Sequence, residues 1–217
     1  MISIDTMNDI IRQLTGTELC ILIQLLQYTE NSVTIRGLAR LLGLSYPLIH
    51  QAVQKLKKKN IIEIIPVPPA HIIKIRKDAP QDSLLIAEIE AKKRFSSTHF
   101  WIQMCKEDII RNSNFESFIL IVFGSYAKKK QNSQSDIDLL FIVPKKENIQ
   151  TAEVALKSTI TQVRKHGIIV TEKDFLTMIQ NKETFNVGNE ARKNHIILTG
   201  VERYYQLLTK GGIYYDT

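Results

Sequence analysis

The sequence predicts an α+β chain in two parts, a helical N-terminal part closed by a β-hairpin and a C-terminal part of apolar strands and helices. Three observations predict it. Apolar residues recur at helical spacing through residues 17–56. Two β-branched stretches follow, Ile61–Val67 and His71–Ile75, with Pro66, Pro68 and Pro69 marking the turn between them. Farther on, the runs Phe118–Phe123 and Leu139–Val143 have the length and β-branching of buried strands. At ~100–200 residues per domain, 217 residues make one large domain or two small ones. A hydrophobic content of 44% excludes a mostly disordered chain. The 29 Lys and Arg against 22 Asp and Glu leave a net charge of +7, which favours polyanionic partners. No apolar run reaches the ~18 residues of a membrane span. The N-terminus has no basic segment followed by an apolar core, so no secretory signal is expected. Cys20 and Cys105 lack metal-ligand spacing and read as reduced thiols of a cytoplasmic protein.

The spacing predicts a first helix over Thr17–Tyr28, burying Leu19, Leu22, Ile23 and Leu26. Thr34 is the expected N-cap of a second helix that buries Ile35, Leu38, Ala39 and Leu42 and stops at Gly43. Ser45 and Pro47 open a third, which buries Ile49, Ala52, Val53 and Leu56 and ends in Lys57-Lys58-Lys59-Asn60, cations suited to the negative end of the helix dipole. Three short helices, a glycine turn and a hairpin resemble a winged helix-turn-helix over roughly residues 10–78. The stretch from Gly37 to Ser45 is similar to the helix-turn-helix core of many prokaryotic transcription regulators. The resemblance implies a third helix that enters a DNA major groove and presents Tyr46, His50, Gln51, Gln54, Lys55 and Lys58. It also implies a homodimer. Residues 1–80 carry 10 basic and 6 acidic residues, a net of +4. The hairpin tip, Pro66–His71, has no Arg or Lys, so packing against a partner chain is the alternative use of this module.

The stretch from Ala79 to Ser83 reads as a break, followed by helices over Ser83–Arg94 and Phe100–Ile110 and a turn at Asn112-Ser113-Asn114. The expected organisation is residues 1–78, connecting helices over 79–112, and a second domain over 113–217. Trp101 and Cys105 read as core or interface.

The chemistry lies in that second domain. The strand Phe118–Phe123 ends at Gly124-Ser125, and the next strand opens with Ser135-Asp136-Ile137-Asp138. Alternation along a strand puts Asp136 and Asp138 on one face, ~6.6 Å apart. Two acids so placed need a cation, and Mg²⁺ is held by few carboxylates together with substrate phosphates. Glycine admits a ligand close to the backbone, and the serine hydroxyl with free N–H groups at a helix start suits a phosphate.

Gly-Ser-x-Ala followed by Ser-Asp-Ile-Asp-Leu is similar to the signature of the DNA polymerase β-like nucleotidyltransferases, and most similar to the minimal nucleotidyltransferases of bacteria and archaea. The resemblance covers about residues 113–210 and implies a small mixed sheet flanked by helices. It implies transfer of a nucleoside monophosphate from an NTP, ATP among them, to an acceptor, with Mg²⁺ as cofactor. Gly124, Ser125, Lys128 and Ser135 carry over as nucleotide-binding residues, and Asp136 and Asp138 as catalytic metal ligands. The acceptor stays open, with a partner protein as one candidate, as for the minimal members that modify a toxin. Two departures stand out. Lys129 replaces a glycine usual after the basic residue. The third carboxylate of active members has no counterpart inside the strand Ile168–Thr171 that is expected after a helix over Thr151–Lys165. Glu172, just beyond, is the catalytic candidate, although Thr171 also reads as an N-cap with Glu172 and Asp174 in the first turn. The alternative function is a DNA-binding regulator whose degenerate nucleotidyltransferase domain senses nucleotide or mediates assembly. His195 reads as a packed or capping residue, and His50, His71, His99 and His166 show no metal-ligand clustering.

Overall fold

The computed structural model describes residues 14–27, 33–113, 115, 117–181 and 184–213, so the predicted ends of the chain and Tyr28 lie outside the described residues. The chain divides into two compact units, one up to Glu90 and one over Ala91–Ile213.

The first unit contains α1 (Gly16–Gln27), β1 (Val33–Thr34), α2 (Ile35–Leu42), α3 (Tyr46–Lys58), β2 (Ile62–Val67) and β3 (Ala70–Ile75). Helix α1 starts on a reciprocal cap. The Thr15 N–H donates to Glu18 Oε2 at 2.6 Å, and the Glu18 N–H donates to Thr15 Oγ1 at 3.3 Å. Thr34 caps α2, its Oγ1 accepting from the Gly37 N–H at 3.0 Å. Gly43 ends α2 at φ +64°, a left-handed conformation that glycine adopts without a Cβ penalty. Ser45 sits at the N-cap of α3 but makes no side-chain cap bond. The buried faces of the three helices meet: Ile21, Leu22, Leu38, Ile49, Val53 and Leu56 are all fully buried. Strands β2 and β3 form the expected hairpin, from Ile62↔Ile75 to Val67↔Ala70. The sequence reading did not include β1, which adds to β3 in the order β1-β3-β2.

Helix α4 (Gln81–Thr98) contains the division between the units, and α5 (Trp101–Ser113) follows. The helix α5 therefore runs through Asn112 and Ser113, where a turn was expected. The Ser113 hydroxyl donates to the Ile110 carbonyl at 3.2 Å, so its polar group is satisfied inside the helix.

The second unit is built on β4 (Ile119–Phe123), the short α6 (Gly124–Ala127), β5 (Ile137–Val143), α7 (Ile149–Ser158), β6 (Lys165–Thr171), α8 (Glu172–Gln180), α9 (Val187–Lys193), β7 (Ile196–Thr199) and α10 (Val201–Lys210). The sheet is mixed, in the order β6-β5-β4-β7. Strand β4 is antiparallel to β5 and β7, and β5 is parallel to β6. All five residues of β4 are buried, as a central strand covered on both faces requires. Helix α7 is shorter than expected. Thr159 Oγ1 donates back to the Ala155 carbonyl at 2.7 Å and closes the helix, while Lys165 is drawn into β6 opposite Ile137.

Candidate functional site

The antiparallel β4–β5 ladder ends at the pair Phe123↔Asp138, which places Gly124 beside the Asp138 carboxylate. Gly124 has φ +68°, and a Cβ built on it would overlap Asp138 Oδ2. Both the conformation and the space therefore call for glycine here. Ser125 is half-buried in the turn. Asp138 is half-buried at the start of β5, and Asp136, one residue before the strand, is exposed. The structure thus brings together Gly124, Ser125 and Asp138, with Asp136 at the rim.

Lys128 follows α6 and donates to Glu190 Oε2 at 3.1 Å; Lys193 Nζ lies 3.9 Å from the other oxygen of Glu190. Glu190, on α9, was not anticipated from the sequence; it holds the cation next to the glycine-serine turn. Lys129 has φ +54°. A left-handed conformation costs a side chain with a Cβ about 1 kcal/mol, which the glycine expected at this position would avoid. The Ser135 hydroxyl is used within its own loop, accepting from the Asn132 N–H at 2.9 Å and lying 3.3 Å from Asn132 Oδ1. It orders the approach to Asp136.

Glu172 requires a correction. In the parallel β5–β6 register Asp138 lies opposite His166, whereas Val143 lies opposite Thr171. Glu172 is therefore at the opposite end of the strand pair, roughly 20 Å away at ~3.3 Å per residue. It sits in the first turn of α8, where Thr171 Oγ1 accepts from the Asp174 N–H at 3.1 Å, and its carboxylate pairs with Arg203 Nε. The Thr171 hydroxyl, donating to Asp174 at 2.7 Å, holds that carboxyl below its ordinary range. This corner fastens α8 to α10 at the end of the β5–β6 pair away from Asp138.

The residue that does stand beside Asp138 is His166, with Nδ1 3.3 Å from Asp138 Oδ1. Its signal is tertiary: only the parallel register brings the start of β6 to the start of β5. Among the described residues, no three His, Cys, Asp or Glu side chains converge to hold a metal by themselves. The donors fit a divalent ion whose coordination is completed by ligand phosphates, the way Mg²⁺ is usually bound. The remaining groups are structural. His195 is buried, with Nδ1 3.0 Å from the Arg192 carbonyl. Cys105 is fully buried, and burial pushes its thiol up to about 11.

In the first unit, α3 buries Ile49, Ala52, Val53 and Leu56 and exposes Tyr46, His50, Gln51, Lys55 and Lys58, with Gln54 half-buried. Tyr46 stacks on His50 at 5.9 Å, and Gln54 Nε2 lies 3.5 Å from His50 Nε2, so these polar groups form one line along the helix. Arg36, absent from the sequence reading, and His71, which entered it only as a hairpin residue, line a cavity of about 300 Å³ together with Tyr46. No helix among the described residues is long and apolar enough to cross a membrane.

Residues 12–71 match the family model of the MarR family, and residues 107–199 match that of the polymerase β nucleotidyltransferases. No curated protein and no solved structure matches the chain. The two family regions fall on the two units, one carrying the three helices and hairpin, the other the glycine-serine turn and the aspartates. The chain is an N-terminal MarR-type winged-helix domain followed by a polymerase β-type nucleotidyltransferase domain.

Proposed function

We propose that the second domain transfers a nucleoside monophosphate from an NTP, with ATP the first candidate, to an acceptor on a partner protein, and that the winged-helix domain binds double-stranded DNA as a homodimer. The observation that carries the transferase reading is the Asp138 carboxylate packed against Gly124, which sets the glycine-serine turn directly beside one of the two aspartates. In the transfer, an acceptor oxygen bonds to the α-phosphorus, the α–β anhydride bond breaks, pyrophosphate leaves and the acceptor gives up its proton. Asp136 and Asp138 would hold a divalent cation, which supplies charge neutralisation at the phosphates. Ser125 and Lys128 bind phosphate oxygens. Gly124 leaves the space that the Asp138 carboxylate occupies beside the turn.

Calorimetric titration with each NTP, with and without Mg²⁺, tests this. Asp136→Asn is expected to remove Mg²⁺-dependent binding and to leave the melting temperature unchanged or slightly higher, because it takes one charge from a repulsive pair. Retained Mg²⁺-dependent binding in Asp136→Asn would take the cation away from this pair.

One observation favours the second reading, a DNA-binding regulator that senses nucleotide without transferring it: the displacement of Glu172 leaves the pair without a third carboxylate among the described residues. Under either reading α3 faces DNA. Lys55→Ala and Lys58→Ala are each expected to weaken duplex binding and to lower the slope of log K against log salt by about 1. Unchanged affinity and slope by fluorescence anisotropy would remove α3 from the interface.

A further inference from the structure

The nucleotide site contains a feature that a two-carboxylate Mg²⁺ centre does not need. His166 lies opposite Asp138 in the parallel ladder, so the two side chains rise from the same face of neighbouring strands. The Asp138 carboxylate is held between two neighbours, with Oδ2 against Gly124 and Oδ1 toward His166 Nδ1. The Nδ1–Oδ1 distance of 3.3 Å is long for a charge-assisted hydrogen bond, which settles at ~2.7–2.9 Å. It is close to the ~3.0 Å edge between two neighbouring donors that each stand ~2.1 Å from one octahedral ion. His166 is 63% exposed, so no packing requirement fixes an imidazole here. Asp138 is the only partner of that ring among the described residues.

We infer that His166 and Asp138 form a ligand edge, and that this edge, completed by the nucleotide phosphates, takes a first-row transition dication more tightly than Mg²⁺. This rests on the nucleotide-binding reading above and adds the identity of the ion. The chemistry follows from the donors. Carboxylate and phosphate oxygens serve Mg²⁺ well, whereas an imidazole nitrogen adds affinity for Co²⁺, Fe²⁺ or Zn²⁺ and little for Mg²⁺. An acid at the same register position would remove that discrimination. Position 166 would therefore set the metal, while Asp136 and Asp138 set the site.

The test is titration of the full chain with Co²⁺ and with Mg²⁺, in the presence of the non-hydrolysable analogue α,β-methylene-ATP. Calorimetry reads affinity, and the visible absorption of Co²⁺ reads nitrogen coordination. Co²⁺ is expected to bind the wild type at least 10-fold more tightly than His166→Ala, whose Co²⁺ bands shift to those of an all-oxygen centre. Mg²⁺ affinity is expected to stay within about twofold in that variant and to rise in His166→Asp. Equal Co²⁺ affinity and spectrum in wild type and His166→Ala, with both ions lost in Asp138→Asn, would overturn the role of His166 and leave the aspartate site standing. Binding of ions and analogue that survives Asp138→Asn as well would overturn the nucleotide-binding reading together with it. The exposed position of His166 keeps the fold out of the comparison, and matching near-ultraviolet circular dichroism confirms this for each variant.

Discussion

Gly124→Ala is expected to weaken nucleotide binding at least a hundredfold, the largest functional effect of any single methyl group in this chain. The new Cβ meets two obstacles. It must adopt φ +68°, which costs an alanine ~1–2 kcal/mol. It also claims the volume that holds Asp138 Oδ2, so the carboxylate must turn away from the ligand side of the turn. Together these amount to about 3 kcal/mol, the equivalent of a hundredfold in affinity. Calorimetry with ATP and a divalent cation measures the effect, and DNA binding by the winged-helix domain serves as the control for an intact chain. Affinity within threefold of wild type would show that the turn does not touch the nucleotide.

The largest stability effect is expected from Lys59→Ala. The Glu18 side chain is 0% exposed and receives both a backbone N–H from Thr15 and the Lys59 ammonium, whose Nζ is 3.0 Å from each carboxylate oxygen. Burial alone raises the Glu18 carboxyl, but the Thr15 amide and Lys59 outweigh it and hold the group below its ordinary range. Removing Lys59 leaves a buried charge short of its partner. The expected loss is about 3 kcal/mol, at the low end for a buried pair, because the Lys59 side chain is 34% exposed. The sign of the pH dependence follows. In the wild type the depressed carboxyl contributes stability above its unfolded value of 4.5, and this is lost as pH falls through the folded value. In Lys59→Ala the hydrogen bond and the charge of the ammonium are lost, so the carboxyl moves up from its wild-type value and this group's contribution to stability above that value shrinks. Hydrogen exchange at α1 and α3 amides reads this unit apart from Trp101 fluorescence, which reports the second. Equal protection in variant and wild type would mean that the pair contributes nothing net.

What was legible in the sequence was what local chemistry decides. Thr34 and Gly43 bracket α2 because a hydroxyl and a missing Cβ act within one turn. That Gly124 and Asp138 belong to one site was legible from the motif, whereas their direct contact comes from the antiparallel ladder between consecutive strands. Strand β1 was not, since two residues carry no periodicity and acquire their conformation only from β3. Helix α7 was drawn too long for a similar reason, its last predicted residue belonging to a strand defined by pairing with Ile137. Glu172 and His166 are two sides of one omission. The parallel register between β5 and β6 is set across an intervening helix, and it carries the histidine to the aspartates and the glutamate to Arg203. Lys129 shows a different case: a non-glycine residue in a left-handed conformation, which the sequence alone does not reveal.

The strand order β6-β5-β4-β7 also bears on how the site comes into being during folding. The β4–β5 pairing closes the shortest loop in the sheet, whereas β7 reaches β4 only after the chain has passed through β6, α8 and α9. Loop-closure entropy rises with the logarithm of that separation, so the early ladder is the less costly one to form. Gly124 and Asp138 lie at the end of that ladder, and His166 joins them one strand later. The geometry proposed to hold phosphate therefore lies on the less costly pairing, and His166 is added across the longer β5–β6 connection. A nucleotide present while the chain folds would meet the aspartates before it meets the histidine.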